Sequence, residues 1–233
     1  AARARHVLAV EIDRDLVAEL RDAAISNLTV LSGDFLDGSA GQLTHELAAA
    51  GAAGAPPGAG RSSGPIRVAG NLPYNVASPI LFQLVDLFGA GVPLADATVM
   101  LQREVADRLT AAPGTGDYGV LAILIGHSAR VERVLSLPPG AFRPPPKVRS
   151  AVVRLRFHPP EPPAANPTLF AGLVSAVFTR RRKTVANALG AFHLSSRLAP
   201  VRALADTGLD ARRRPETMTI PELVRLADRY ARL

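Results

Sequence analysis

The chain has 233 residues, 48% of them hydrophobic, which suits one large or two modest packed domains. No apolar run reaches the ~18 uncharged residues of a membrane span, and the first residues lack the order of a secretory signal, so a soluble cytoplasmic protein is expected. Cysteine is absent, which excludes disulfides, thiolate metal sites and thiol nucleophiles.

The formal charge of +7 is unevenly spread. Residues 1–141 carry 10 basic and 14 acidic side chains, whereas residues 142–233 carry 17 and 6, an excess of +11. Such a field fits a polyanion, most simply nucleic acid. A GC-rich genome also inflates arginine, but does not explain why the first part stays acidic.

In chain order, residues 6–11 read as a buried strand ending on Glu11, after which Asp13 caps a helix through about Ala24. Glu11 either accepts hydrogen bonds from ribose hydroxyls, as an acid at this strand end of a nucleotide-binding α/β fold does, or simply opens the helix. A strand at 28–32 leads into Gly33-Asp34-Phe35. There Asp34 either accepts from an adenine amine, with Phe35 on the ring, or caps a turn. A helix is expected near Gln42–Ala49. Ala50–Gly64, almost purely Ala, Gly, Pro and Ser, reads as a flexible surface insertion.

The stretch Ile66 to Tyr74 reads as a strand running into a rigid turn, Asn71-Leu72-Pro73-Tyr74, before a helix carrying Ile80, Leu81, Leu84, Val85 and Phe88. An amide, two outward carbonyls and an aromatic face suit a planar ring bearing an exocyclic amine. The alternative is that Asn71 supports the turn and Tyr74 is packing. A strand at 97–102 and a helix at 103–110 follow. Gly114 to Gly119 matches G-x-G-x-x-G, but the preceding segment is helical rather than a strand, so the dinucleotide reading is rejected in favour of a loop into a helix at 120–128.

Residues 131–137 and 150–157 read as strands. The proline-rich stretch between them, Pro138 to Lys147, is a stiff loop aiming Phe142, either over a ring opposite Tyr74 or into the core. Pro159–Pro167 reads as a linker between a domain at 1–158 and a helical domain at 168–233. Helices are expected at 169–178, 184–191, 195–206 and 220–232, with Pro221 in a first turn. Arg180-Arg181-Arg182-Lys183 lies between two of these helices, where guanidinium groups can reach phosphates. The five histidines show no ligand spacing, and no metal is expected.

Three segments carry a resemblance. They are the Val-Ala-Gly-Asn-Leu-Pro-Tyr-Asn-Val-Ala-Ser-Pro-Ile-Leu run from Val68, the Pro-Pro-Gly-Ala-Phe-Arg-Pro-Pro-Pro-Lys-Val-Arg-Ser-Ala-Val-Val-Arg-Leu run from Pro138, and the Phe-Thr-Arg-Arg-Arg-Lys-Thr-Val-Ala-Asn-Ala-Leu run from Phe178. Together they resemble the ribosomal RNA adenine N6-dimethyltransferase family, in its small-subunit branch. The resemblance implies an α/β fold with a Rossmann-like class I methyltransferase sheet and a small all-helical carboxyl-terminal domain. It also implies S-adenosylmethionine as cofactor and small-subunit ribosomal RNA, within a subunit precursor, as partner. Glu11 and Ile12 would then hold the cofactor's ribose side, Asp34 and Phe35 its adenine, with Asn71 adjoining. Asn71 and the Leu72 carbonyl, braced by Pro73, would bind the target amine, and Tyr74 and Phe142 would stack on its ring. Arg180, Arg181, Arg182 and Lys183 would contact RNA.

The family's pattern begins earlier, with a first strand and a Gly-rich loop that cradles the cofactor. Neither is found in these residues, so an incomplete chain is expected that binds the cofactor weakly or not at all, although its full-length parent would be active; the missing strand would lie beside those at 6–11 and 66–70. Arg149 stands where the family usually has an acid. Two rival readings are a large-subunit RNA methyltransferase of the antibiotic-resistance kind and a non-catalytic RNA-binding assembly factor.

Overall fold

In the computed structural model, residues 4–37, 45, 65–193 and 198–232 are described. The helix expected near 42–49, the Ala50–Gly64 insertion and the first residues of the helix expected from 195 fall wholly or almost wholly outside them.

The chain begins with β1 (Val7–Glu11), α1 (Arg14–Asp22) and β2 (Leu28–Ser32). β1 and β2 are parallel, with Glu11 opposite Ser32. Asp13 caps α1, its carboxylate accepting from the Asp15 and Leu16 amides, so the helix starts one residue after the cap as expected. β3 (Ile66–Asn71) precedes α2 (Ala77–Gly89) and β4 (Leu94–Gln102). α3 (Arg103–Leu109) and α4 (Val120–Gly126) come next, followed by β5 (Ala129–Leu137) and β6 (Ser150–Phe157). β4 and β5 both run antiparallel to β6, giving the order β3-β4-β6-β5. The inward positions of β6, Ala151, Val153 and Leu155, are fully buried and alternate with Arg154 and Arg156, the period-2 signal on which the strand was read.

Among the described residues the strands form two separate ladders, β1-β2 and β3-β4-β6-β5. Contacts divide the chain into two units. One takes the described residues of Ala1–Val68 with Pro79–Ala95, and the other Ala69–Ser78 with those of Asp96–Leu233.

Among the described residues the regular structure of the carboxyl-terminal part is helical: α5 (Pro167–Thr179), α6 (Val185–Ala188), α7 (Gly190–His193), α8 (Pro200–Asp206) and α9 (Ile220–Ala231). Its core is a single cluster in which Leu173, Val177, Leu189, Leu204, Met218, Leu223 and Leu226 are fully buried. The same cluster includes Tyr118, Ala122 and Ile123 from α4 and its entry, so packing runs across the 159–167 linker instead of stopping at it. A proline-rich linker signals an absence of secondary structure, which is present here, but it does not show which side chains pack on either side of it. The single helix expected over 184–191 is two short ones, α6 and α7, broken at Leu189. α8 starts at Pro200, with Ala199 as its cap, because a proline fits a first-turn position where no amide hydrogen is needed.

Candidate active site

β3 ends on Asn71, and the chain leaves the sheet through Leu72 and Pro73. The Leu72 N–H still donates to the Met100 carbonyl at 2.9 Å, and the Leu72 side chain is buried, so the turn is anchored to β4 by one bond beyond the strand. The Pro73 carbonyl accepts from the Val76 N–H at 3.2 Å as α2 begins. This corrects the expectation of two outward carbonyls: Pro73 spends its own in the turn. Among the described residues the Leu72 carbonyl accepts no hydrogen bond, and the exposed Asn71 amide makes none. Two acceptors therefore stand unpaired side by side in the chain, on a backbone whose conformation proline restricts.

Tyr74 is 40% exposed, and its hydroxyl shares a 3.2 Å hydrogen bond with the hydroxyl of Ser150, a buried residue at the start of β6. The proline-rich loop between β5 and β6 folds as a short 3-10 turn, Pro139–Ala141, closed by the Ala141 and Phe142 amides donating to Pro138 and Pro139. It leaves Phe142 extended and half-buried. Asn71, Leu72, Pro73, Tyr74, Phe142, Met100, Arg143, Pro144 and Pro146 line one open cavity of about 370 Å³. Five of these had been singled out from sequence. Met100 and Arg143 had not, because nothing local marks which side chains of β4 or of the proline-rich loop face the turn at Asn71. Ser150 likewise carried no signal, since its bond to Tyr74 spans 76 positions.

The other predicted residues lie in the first unit, at the carboxyl ends of the adjacent strands β1 and β2. Glu11 Oε1 accepts from the Ile12 and Asp13 amides at 2.8 and 2.9 Å, and its carbonyl accepts from Gly33 N–H at 2.9 Å. Asp34 Oδ1 accepts from the Leu36 amide at 2.9 Å. Both carboxylates are thus held by turns that each use one oxygen, and the second oxygen of each has no partner among the described residues. Ile12 is 64% exposed and Phe35 half-buried.

The basic run Arg180–Lys183 forms the exposed turn between α5 and α6, closed by the Lys183 amide on the Arg180 carbonyl at 2.8 Å. Arg181 donates to the Gly116 carbonyl at 2.7 Å, and none of the four is in an ion pair among the described residues. The Gly114–Gly119 stretch follows helix α3, not a strand, with Gly114 at φ +89° and its amide bound to the Glu216 carbonyl. That is a loop, as its rejection as a dinucleotide site required. Among the described residues no helix is long and apolar enough to cross a membrane.

The fold matches known methyltransferases. A dimethyladenosine transferase from Plasmodium falciparum aligns over 96% of this chain and 81% of its own, with a TM-score of 0.71 at 20% identity. The 23S rRNA methyltransferase ErmE aligns over 99% of this chain and 84% of its own, at 0.59 and 25%. This is the Rossmann-like methyltransferase fold. A "Ribosomal RNA small subunit methyltransferase A" from Anaeromyxobacter sp. (strain K) is 42% identical over 221 residues, covering 95% of this chain and 74% of the relative. The model of the family described as ribosomal RNA adenine dimethylase matches residues 1–229, and the chain belongs to that family.

Proposed function

We propose that the protein dimethylates the N6 amine of adenines in small-subunit ribosomal RNA during ribosome assembly, with S-adenosylmethionine as the methyl donor. The observation that carries this reading is the cavity where the unpaired Asn71 amide and Leu72 carbonyl meet the rings of Tyr74 and Phe142.

The lone pair of an adenine amine is delocalised into the ring, so the nitrogen is a poor nucleophile. Hydrogen bonds accepted from its two protons by Asn71 Oδ1 and the Leu72 carbonyl draw it towards a pyramidal geometry and return electron density to it. No strong base is needed. Tyr74 and Phe142 replace the stacking that the base loses when it leaves its neighbours, a cost of a few kcal/mol that a loop target reduces. Holding the reacting nitrogen close and aligned is the main contribution of these residues. After one transfer the methylated amine must rotate within the same walls before a second one.

The carboxylate oxygens of Glu11 and Asp34 that have no partner among the described residues suit the ribose hydroxyls and the adenine amine of the cofactor, with Ile12 and Phe35 as its apolar cover. When bound, S-adenosylmethionine supplies a methyl group on a positively charged sulfur. Arg180, Arg182 and Lys183, unpaired among the described residues, offer cations to RNA phosphates.

Labelled methyl transfer by the full-length protein from S-adenosylmethionine to small ribosomal subunits purified from cells lacking adenine dimethylation tests the reading. N6,N6-dimethyladenosine in the digested small-subunit RNA supports it. Label confined to large-subunit RNA, or no transfer, refutes it.

A further inference from the structure

We infer that Ser150 is a positioning residue that holds the Tyr74 ring beside the cavity for stacking on the target base. The inference rests on the functional reading above and extends it to a residue outside the cavity wall.

Ser150 is 1% exposed and lies opposite both Gln102 of β4 and Leu137 of β5, so its backbone is fixed by strands on either side. Tyr74 has no such support. It sits in a turn beyond the end of β3, 40% exposed, where its ring can move between staggered values of the first torsion. The 3.2 Å bond between the two hydroxyls ties the far end of the ring to the sheet. A ring held at both its Cβ and its hydroxyl cannot swing about its first torsion, so its long axis stays beside the cavity that Phe142 also lines. The bond uses only the tip of the ring and leaves its face for a base.

The consequence falls most heavily on the second transfer, because the singly methylated amine must turn while its ring stays stacked. Loosening Tyr74 releases the base before that turn is complete.

The test uses the full protein with small ribosomal subunits lacking adenine dimethylation and labelled S-adenosylmethionine, comparing wild type, Ser150→Ala, Tyr74→Phe and the double variant. Each single variant is expected to lower kcat roughly fivefold with little change in KM, the effect of one neutral hydrogen bond. Each is also expected to raise the ratio of N6-methyladenosine to N6,N6-dimethyladenosine in digested RNA. The double variant should match the single ones, because both remove the same bond. A merely structural role for Ser150 lowers the amount of active enzyme and leaves the product ratio unmoved. Should Ser150→Ala fail to fold, Tyr74→Phe carries the test alone, since it deletes the bond from the exposed side. Wild-type ratios in Tyr74→Phe, or a further loss on adding Ser150→Ala to it, overturn the inference. A wild-type protein that transfers no methyl group overturns the functional reading itself.

Discussion

Replacing Glu222 by glutamine should weaken the helical part of the fold in a pH-dependent way. Glu222 takes a bidentate pair from Arg213, at 2.5 and 3.1 Å, while its Oε2 also accepts from the Thr219 amide and hydroxyl at 2.8 and 3.0 Å. The latter contacts complete a capping box at the start of α9. The bond from Arg213 is the chief reason that the carboxyl is held down to about 2, from an ordinary 4.5, with the Thr219 contacts acting in the same direction against partial burial. A shift of that size corresponds to about 3 kcal/mol. Solvent reaches both partners, whose side chains are 31% and 20% exposed, and screening reduces the expected contribution to roughly 1–2 kcal/mol. Because the folded-state value is depressed, the contribution is complete above about pH 4.5. It is lost as the pH falls through the unfolded value towards about 2. Urea unfolding of wild type and Glu222→Gln should differ by that amount at pH 7 and by less than half of it at pH 3. A gap that is absent, or that stays constant between those pH values, refutes the argument.

Leu204→Ala or Leu223→Ala removes a fully buried side chain from the helical cluster and should cost roughly 2–5 kcal/mol in the same unfolding assay. Phe142→Ala should reduce methyl transfer about tenfold with no loss of folded protein by circular dichroism, since the side chain stands half-buried in a loop and covers the cavity. Arg180→Ala and Arg182→Ala should each lower the salt dependence of RNA binding by about one unit in the log–log slope; unchanged slopes would remove these arginines from the interface.

Much of the fold was legible because its signals are local. The alternation of Val153 and Leu155 with Arg154 and Arg156 declares β6, Asp13 declares the start of α1, and the break at Asn71-Leu72-Pro73 marks the end of β3. Long-range packing was not. Ala122 and Ile123 look like any apolar helix, and only the folded chain shows them in one core with Leu173 and Leu204. At the site, residue types suggested which groups offer acceptors and rings. Only the structure shows that the Val76 amide consumes the Pro73 carbonyl and that Ser150 holds Tyr74, because hydrogen-bond partners are chosen in space. Periodicity also misjudged 184–191, where a turn at Leu189 interrupts a pattern that otherwise reads as one helix.

The central claim is that the Asn71 amide and the Leu72 carbonyl together activate an adenine amine. Single-turnover methyl transfer by Asn71→Ala, measured beside its affinity for the same ribosomal subunits, tests it most directly. Losing one preorganised polar contact to the reacting group should slow transfer about 10²-fold or more while leaving RNA affinity unchanged, because Asn71 is exposed and bonds to no other described side chain. Transfer at the wild-type rate, or a loss of rate matched by an equal loss of RNA affinity, would contradict it.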